Sequence, residues 1–249
     1  MALNMDGRFY SWGYNGYGNL GNGSIAVNSS VPGIESTGAK DWSSLVPGGR
    51  IALKTDGTIW SWGYHSNSSN IPVMLHVSNI PPFYDSTDWD SVVDGGGYTV
   101  ALNKNGKLWS WGKNDFGQLG NGRTDTSSSP VQESTRSTDW ASIVTGTGYT
   151  VALKTDGTLW SWGNNEWGQL ANGRDGRSSS FDVYSTRPVQ ESTRSTDWAS
   201  VVAGDGRSSY TVALKKNGTL WSWGQNTEGQ LGNGTITITS NIPVHESTG

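Results

Sequence analysis

Short runs of alternating apolar and polar residues, separated by glycine-rich turns, recur along the whole chain. In Tyr149 to Lys154, the side chains of Tyr149, Val151 and Leu153 fall on one face; in Thr158 to Trp162, Trp160 and Trp162 do. The small Ala152 and Ser161 take the opposite faces, where a neighbouring sheet can approach closely. Asp156-Gly157 lies between the two runs. Such a pair predicts a type I′ hairpin, because both central residues of that turn need positive φ. The hairpin occurs five times, at Asp6-Gly7, Asp56-Gly57, Asn105-Gly106, Asp156-Gly157 and Asn217-Gly218. Each is followed by Ser-Trp-Gly, with the tryptophan at Trp12, Trp62, Trp111, Trp162 and Trp223.

Two further elements complete a unit. Asp-Trp-x-Ser followed by apolar residues recurs at Asp41-Trp42, Asp88-Trp89, Asp139-Trp140 and Asp197-Trp198, and predicts another strand. Gly-Gln/Asn-Leu-Gly/Ala-Asn-Gly recurs at Gly18 to Gly23, Gly117 to Gly122, Gly168 to Gly173 and Gly229 to Gly234, ahead of a Pro-containing segment. About four short strands in about 50 residues is the size of a propeller blade. The expected architecture is all-β: one domain over 1–249, with units of approximately 1–40, 41–87, 88–138, 139–196 and 197–249. The run from Pro130 to Ser142 repeats unchanged from Pro188 to Ser200, which implies recent duplication.

This order of motifs resembles the RCC1 repeat, whose pattern runs through Trp-Gly, Gly-Gln-Leu-Gly and a Gly-Gly-x-His-x-x-Ala-Leu element. The resemblance covers the chain in five copies and implies a five-bladed propeller closed by its termini. No Gly-His…Trp-Asp pairing supports a WD40 reading. Tachylectin-like lectins share the tryptophan load without this order. With five hairpins and four Asp-Trp strands, the blade shared by the termini is expected to be one strand short. It would either leave an edge open to self-association or reflect only an imperfect last strand.

Composition narrows the chemistry. The 249 residues include 35 Gly and 14 Trp, no Cys, and a formal net charge of −4. An acidic chain with scattered basic residues argues against nucleic-acid or anionic-membrane partners. The absence of Cys removes disulfides, thiol nucleophiles and Cys-based zinc sites. No signal-like N-terminus or apolar stretch of spanning length is present, so a soluble protein without membrane insertion is expected, its compartment left open. His65, His76 and His245 lie at no metal-ligand spacing, and no nucleophile elbow or phosphate loop occurs. The Asp of the turn pairs exchanges with Asn, which suits backbone geometry and not acid–base work. The expectation is therefore no enzyme, no cofactor and no metal.

Trp12, Trp62, Trp111, Trp162 and Trp223, with Gly57, Gly106, Gly157 and Gly218, are expected to be structural. The paired tryptophans could alternatively form a sugar-binding cage, but recurrence on strands favours packing between blades. Tyr98, Tyr149 and Tyr210 stand where the family pattern has His, and could offer either a ligand face or local packing. The second repeat lacks the Gly-Gln-Leu-Gly loop. The fourth carries an insertion, Arg174 to Arg187, whose Arg174, Arg177, Phe181 and Tyr184, together with Arg207 in the next turn, are candidate contacts. The resulting reading is a non-catalytic scaffold binding a protein or glycan, of a style suiting an exposed component such as a phage tail or virion protein. Alternatives are a lectin-like propeller and, by resemblance, a guanine-nucleotide exchange regulator. The five units and the Tyr in place of His weigh against exchange, and the absent Gly-Trp-Arg-His-Thr motif weighs against photoreception.

Overall fold

The computed structural model describes residues 1–25, 28–46, 51–63, 69–75, 88–176, 183–204 and 208–247. The candidates His65, His76, Arg177, Phe181 and Arg207 lie outside the described residues. Nineteen strands are present among those described, and the alternating patterns become antiparallel sheets, one per repeat. No helix is long and apolar enough to cross a membrane.

The structure divides into two compact units, Met1–Asp94 and Gly95–Gly249. In the first unit, β1 (Ala2–Leu3), β2 (Phe9–Gly13) and β3 (Ser29–Ile34) form a three-stranded sheet in chain order. β4 (Trp42–Leu45), β5 (Ile51–Lys54), β6 (Ile59–Gly63) and β7 (Ser69–Met74) form a four-stranded one, and β8 (Trp89–Asp94) lies against β5. In the second unit β10 (Leu108–Gly112) sits between β9 (Tyr98–Asn103) and β11 (Ser127–Gln132). The sheets β12 (Trp140–Gly146), β13 (Tyr149–Lys154), β14 (Leu159–Asn164), β15 (Tyr184–Gln190) and β16 (Trp198–Ala203), β17 (Tyr210–Lys215), β18 (Leu220–Gln225), β19 (Thr239–His245) follow, each in chain order.

Register explains the small residues. Thr150 faces Trp162 and Ala152 faces Trp160 across β13 and β14, so the indoles lie over short side chains. Trp140 then meets Trp160 edge-on at 6.5 Å and Trp162 at 5.9 Å, and Trp198 meets Trp221 and Trp223 in the same way. Each such pair contributes about 0.5–1.5 kcal/mol beyond area burial.

Within a repeat, the serine of Ser-Trp-Gly fixes the Gly-Gln-Leu-Gly loop. The Ser11, Ser110, Ser161 and Ser222 hydroxyls donate to the carbonyls of Leu20, Leu119, Leu170 and Leu231 at 2.6–2.8 Å. From the other side, Asn15, Asn114, Asn165 and Asn226 accept the N–H of the same leucines. The second repeat lacks the loop, and its buried Ser61 hydroxyl has no partner among the described residues.

Between repeats the loop acts as a socket. The Trp62, Trp162 and Trp223 Nε1–H groups donate to the carbonyls of Asn19, Gln118 and Gln169 in the preceding repeat, at 2.9–3.0 Å. The last loop glycine of that preceding repeat, Gly23, Gly122 or Gly173, donates its N–H to Asn70, Thr186 or Asn241 on the following outer strand. Those acceptors lie in a bulge: between Ser161 and Gly163 the ladder skips one residue on β14 but three on β15. The indole fits because the loop is glycine. A Cβ on Gly120 would sit 2.7 Å from Trp162 Nε1. The fourth repeat has Ala171 there, held at φ 52°.

Trp62, Trp162 and Trp223 are buried, Trp111 is half-buried and Trp12 is 41% exposed.

Two contrasts isolate these contacts. Gly157 and Gly218 share nearly the same φ, 82° and 85°, yet a Cβ would meet the Thr196 carbonyl oxygen at 2.2 Å from Gly157 and nothing from Gly218. Gly218→Ala should cost about 1–2 kcal/mol in left-handed strain. Gly157→Ala should cost at least about 1 kcal/mol more from overpacking, measured by urea unfolding. Likewise Ser161→Ala should destabilise by about 1–3 kcal/mol, whereas Ser61→Ala, which removes an unpartnered hydroxyl, should be neutral or stabilising.

Candidate binding surface

The repeated polar residues are engaged by the repeat itself. Glu35, Glu133 and Glu191 are buried at the end of the outer strand. Glu191 accepts the N–H groups of Thr193 and Ser195, the Thr193 hydroxyl, and Trp198 Nε1–H at 3.3 Å. Glu35 and Glu133 make matching bonds to Trp42 and Trp140. Sequence reasoning missed these carboxylates. Their signal was present as Glu seven residues before each of these three tryptophans, but Glu-Ser-Thr looks like an exposed turn.

In three repeats the aspartate of Asp-Trp holds a lysine. Lys54, Lys154 and Lys215 Nζ lie 3.0 Å from Asp41, Asp139 and Asp197. Each ammonium also stands over two indoles, as Lys154 does over Trp140 at 4.8 Å and Trp160 at 5.3 Å. Lys54, Lys154 and Lys215 thus each cover one indole of a pair, Trp60, Trp160 and Trp221, together with the indole of the Asp-Trp strand. The Asp197 carboxyl lies below its ordinary value, held there first by the Ser195 hydroxyl and then by Lys215. Asp139 is also lowered: burial pushes it up, but the Ser137 hydroxyl and Lys154 outweigh that.

The tyrosine series resolves toward packing. Tyr98 and Tyr149 are buried, and their hydroxyls donate across to the next repeat, Tyr98 to the Tyr149 carbonyl at 2.5 Å and Tyr149 to the Tyr210 carbonyl at 2.6 Å. Their rings therefore offer no contact area, a correction to the ligand-face reading; Tyr210 is half-buried. Gly95 and Gly146 are needed beside them, since a Cβ on either would fall about 2 Å from the tyrosine ring. His245 packs edge-on against Trp221 at 5.2 Å. Among the described residues, no group of three or more His, Cys, Asp or Glu is placed to hold a metal.

One exposed set of side chains lies beside the insertion of the fourth repeat. Arg174 and Tyr184, singled out on the insertion, line a groove of about 450 Å³ with Asn172, Ser185, Val189 and Gln190. Its stem is rigid: Asn165 donates its N–H to Val183 and accepts that of Gly176, while its side-chain amide donates to the Arg174 carbonyl. Asp175, buried beneath, accepts from Asn241 of the next repeat. Tyr184 is 47% exposed at the head of β15, opposite Asn164. The groove thus combines a guanidinium, a phenol and side-chain amides on a fixed frame, a set suited to hydrogen-bonding an extended polar ligand.

The lysine clusters set a pH dependence. A carboxyl whose folded value is lowered contributes stability that is complete above its unfolded value and disappears as pH falls through the folded one. Asp197→Asn should therefore narrow the difference in urea midpoint between pH 7 and about pH 3. An unchanged difference would show that the Asp197–Lys215 pair is silent.

Comparison with known proteins agrees with this geometry. The model of the Regulator of chromosome condensation (RCC1) repeat matches residues 6–49, 105–153, 156–213 and 217–247. A second RCC1 repeat model matches 91–118, 140–169 and 198–230. The chain is 28% identical over 251 residues to the human E3 ubiquitin-protein ligase HERC2, covering 94% of this chain and 5% of that protein. It is 28% identical over 234 residues to the Arabidopsis thaliana ultraviolet-B receptor UVR8, covering 94% and 40%. The chain thus spans well under half the length of these relatives. Among solved structures, yeast RCC1 (Prp20) bound to Kap60 superposes with a TM-score of 0.79 at 21% identity, over 99% of this chain and 58% of that one. Prp20p of Saccharomyces cerevisiae, described with its binding to Gsp1p and histones, gives 0.79 at 20% identity, over 99% and 60%. By its repeated motifs, its sheets and these matches, the chain belongs to the RCC1 repeat family.

Proposed function

We propose that the chain is a non-catalytic binding scaffold whose partner is a protein, engaged through an extended segment at the fourth-repeat groove. The observation that supports this is a division of labour among polar residues. Glu191, Asp197, Lys215 and Asn165, with their counterparts, hold loops, whereas Tyr184 occurs in one repeat and lines the groove beside Arg174, whose counterpart in the third repeat is Arg123. Unrepeated exposed chemistry on a rigid repeated frame is how repeat proteins carry binding. A protein of the same fold is found bound to a protein, Kap60, which favours that partner class. The glycan reading weakens because one indole of three of the tryptophan pairs, Trp60, Trp160 and Trp221, lies under a lysine. A virion or tail component would suit such a scaffold as well as a soluble regulator would.

Panning a random-peptide display library on the immobilised chain, with a glycan array in parallel, tests the proposal. Selected peptides should lose at least about tenfold in affinity, about 1.4 kcal/mol, with Arg174→Ala or Tyr184→Ala, at unchanged Tm. Peptides indifferent to both variants, or saturable glycan binding alone, would overturn it.

A further inference from the structure

In the turn after the outer strand, the residue three positions beyond the buried glutamate is left-handed, and its N–H donates back to the glutamate carbonyl. In the first repeat that residue is Gly38, at φ 63°. In the third and fourth repeats it is Arg136 and Arg194, each at φ 54°. The conformation is unfavourable for any residue with a Cβ and open to glycine. Duplication explains why the two turns are alike, but not why arginine stands where glycine serves. Nothing inside the chain offsets the strain. Both side chains are exposed, and neither guanidinium has a hydrogen bond or ion pair among the described residues. Strain held without an internal partner points to a role outside the fold.

The fold also gathers cations that are scattered in the sequence. Within the second unit, the hairpin turns and the arginine turns are bonded in one line. Trp140 N–H donates to the Gly106 carbonyl, Thr155 to Asp139, Trp198 to Gly157 and Lys216 to Asp197, at 2.8–3.2 Å. A Cβ on Gly157 would lie 2.2 Å from the carbonyl oxygen of Thr196, two residues from Arg194, and 3.2 Å from Lys216 Nζ. Lys104 and Lys107 flank the Asn105-Gly106 turn and, like Lys216, are exposed with no ion pair among the described residues. The carboxylates of this edge are turned inward or engaged. Glu133 and Glu191 are buried among N–H donors, and Asp139 and Asp197 hold Lys154 and Lys215. Asp156 accepts from Thr158, and Glu246 is half-buried. The side chains left to meet a partner are cationic, on a chain whose formal net charge is −4.

We propose that this edge, with Arg136 and Arg194 at its centre, docks an extended acidic segment of a partner protein. A guanidinium is a planar fork that binds a carboxylate through two parallel hydrogen bonds. Each fork starts from a bonded turn, one per repeat, so two carboxylates on an extended segment are met in register. The exposed Thr138 and Thr196 hydroxyls, two residues beyond each arginine, supply donors for the segment's main-chain carbonyls. A nucleic acid fits less well. Binding through phosphates gains from neutralising many charges in a row, whereas here each guanidinium stands alone above a buried carboxylate. The edge shares no residue with the fourth-repeat groove, so either proposal can fail alone.

The probe is a fluorescein-labelled peptide of about 20 residues alternating glutamate and serine, titrated with the full chain by anisotropy at about 50 and about 200 mM salt. The wild type should bind it, with affinity at least about threefold lower at the higher salt. Arg136→Gly combined with Arg194→Gly should weaken binding at least about tenfold while Tm is retained or raised, because glycine relieves both turns. Lys113→Ala combined with Arg123→Ala removes the same charge elsewhere and should leave binding within about twofold. A single-stranded oligothymidylate of about 20 nucleotides should bind more weakly than the peptide. The proposal is overturned by a peptide that does not bind at low salt, or by a double glycine variant that binds as the wild type does. A lowered Tm in that variant would overturn it too, by showing that the arginines hold their turns. So would an equal loss from the Lys113 and Arg123 pair, or oligothymidylate bound more tightly than the peptide.

Discussion

The constraint on which the rest depends is the donation from an indole N–H to a loop carbonyl in the preceding repeat. It places a large apolar ring against a loop that must be almost free of side chains, so the glycines of Gly-Gln-Leu-Gly follow from the tryptophan. It also requires that loop to be rigid before the neighbour arrives. The Ser hydroxyl and Asn side chain of its own repeat supply that rigidity by gripping both main-chain groups of one leucine. The outer-strand bulge follows next, because it brings a carbonyl within reach of the last loop glycine. Sheets that already share a buried apolar cluster are thereby also joined by directional bonds at defined points.

Much of this was legible in the residues. The turn pairs, Ser-Trp-Gly and the Asp-Trp strands gave element type, order and number, since each has a local physical cause: positive φ, period-two burial, a short turn. Other features needed the third dimension. Glu191 reads as a surface turn until its four donors surround it. Tyr149 reads equally as a binding face or as packing, because only the neighbouring repeat supplies the carbonyl that its hydroxyl reaches. The groove at the fourth repeat was half legible: the insertion announced Arg174 and Tyr184, whereas the Asn165 bonds that fix its stem depend on the fold.

Where repeats depart from the pattern, the structure shows what each feature does. The second repeat has lost the loop and carries an unpartnered serine hydroxyl. The third has Asn103 where lysine recurs, and that amide oxygen accepts the N–H groups of Asn105 and Lys107. The fourth has Ala171 in place of glycine, holding a left-handed conformation against Trp223's repeat. Each departure is local, since interactions extend only to the adjoining repeat.

The identical stretches Pro130 to Ser142 and Pro188 to Ser200 have a genetic consequence. Each runs from the bulge proline through the buried glutamate to the tryptophan of the next Asp-Trp strand, and so carries matching portions of two successive repeats. Unequal recombination between them would remove or add one whole period, insertion and groove included. Every junction so created would still seat an indole against a loop, because the flanking halves are the same at both sites. Such an exchange would change how many grooves the protein displays while leaving intact the rule by which one repeat holds the next.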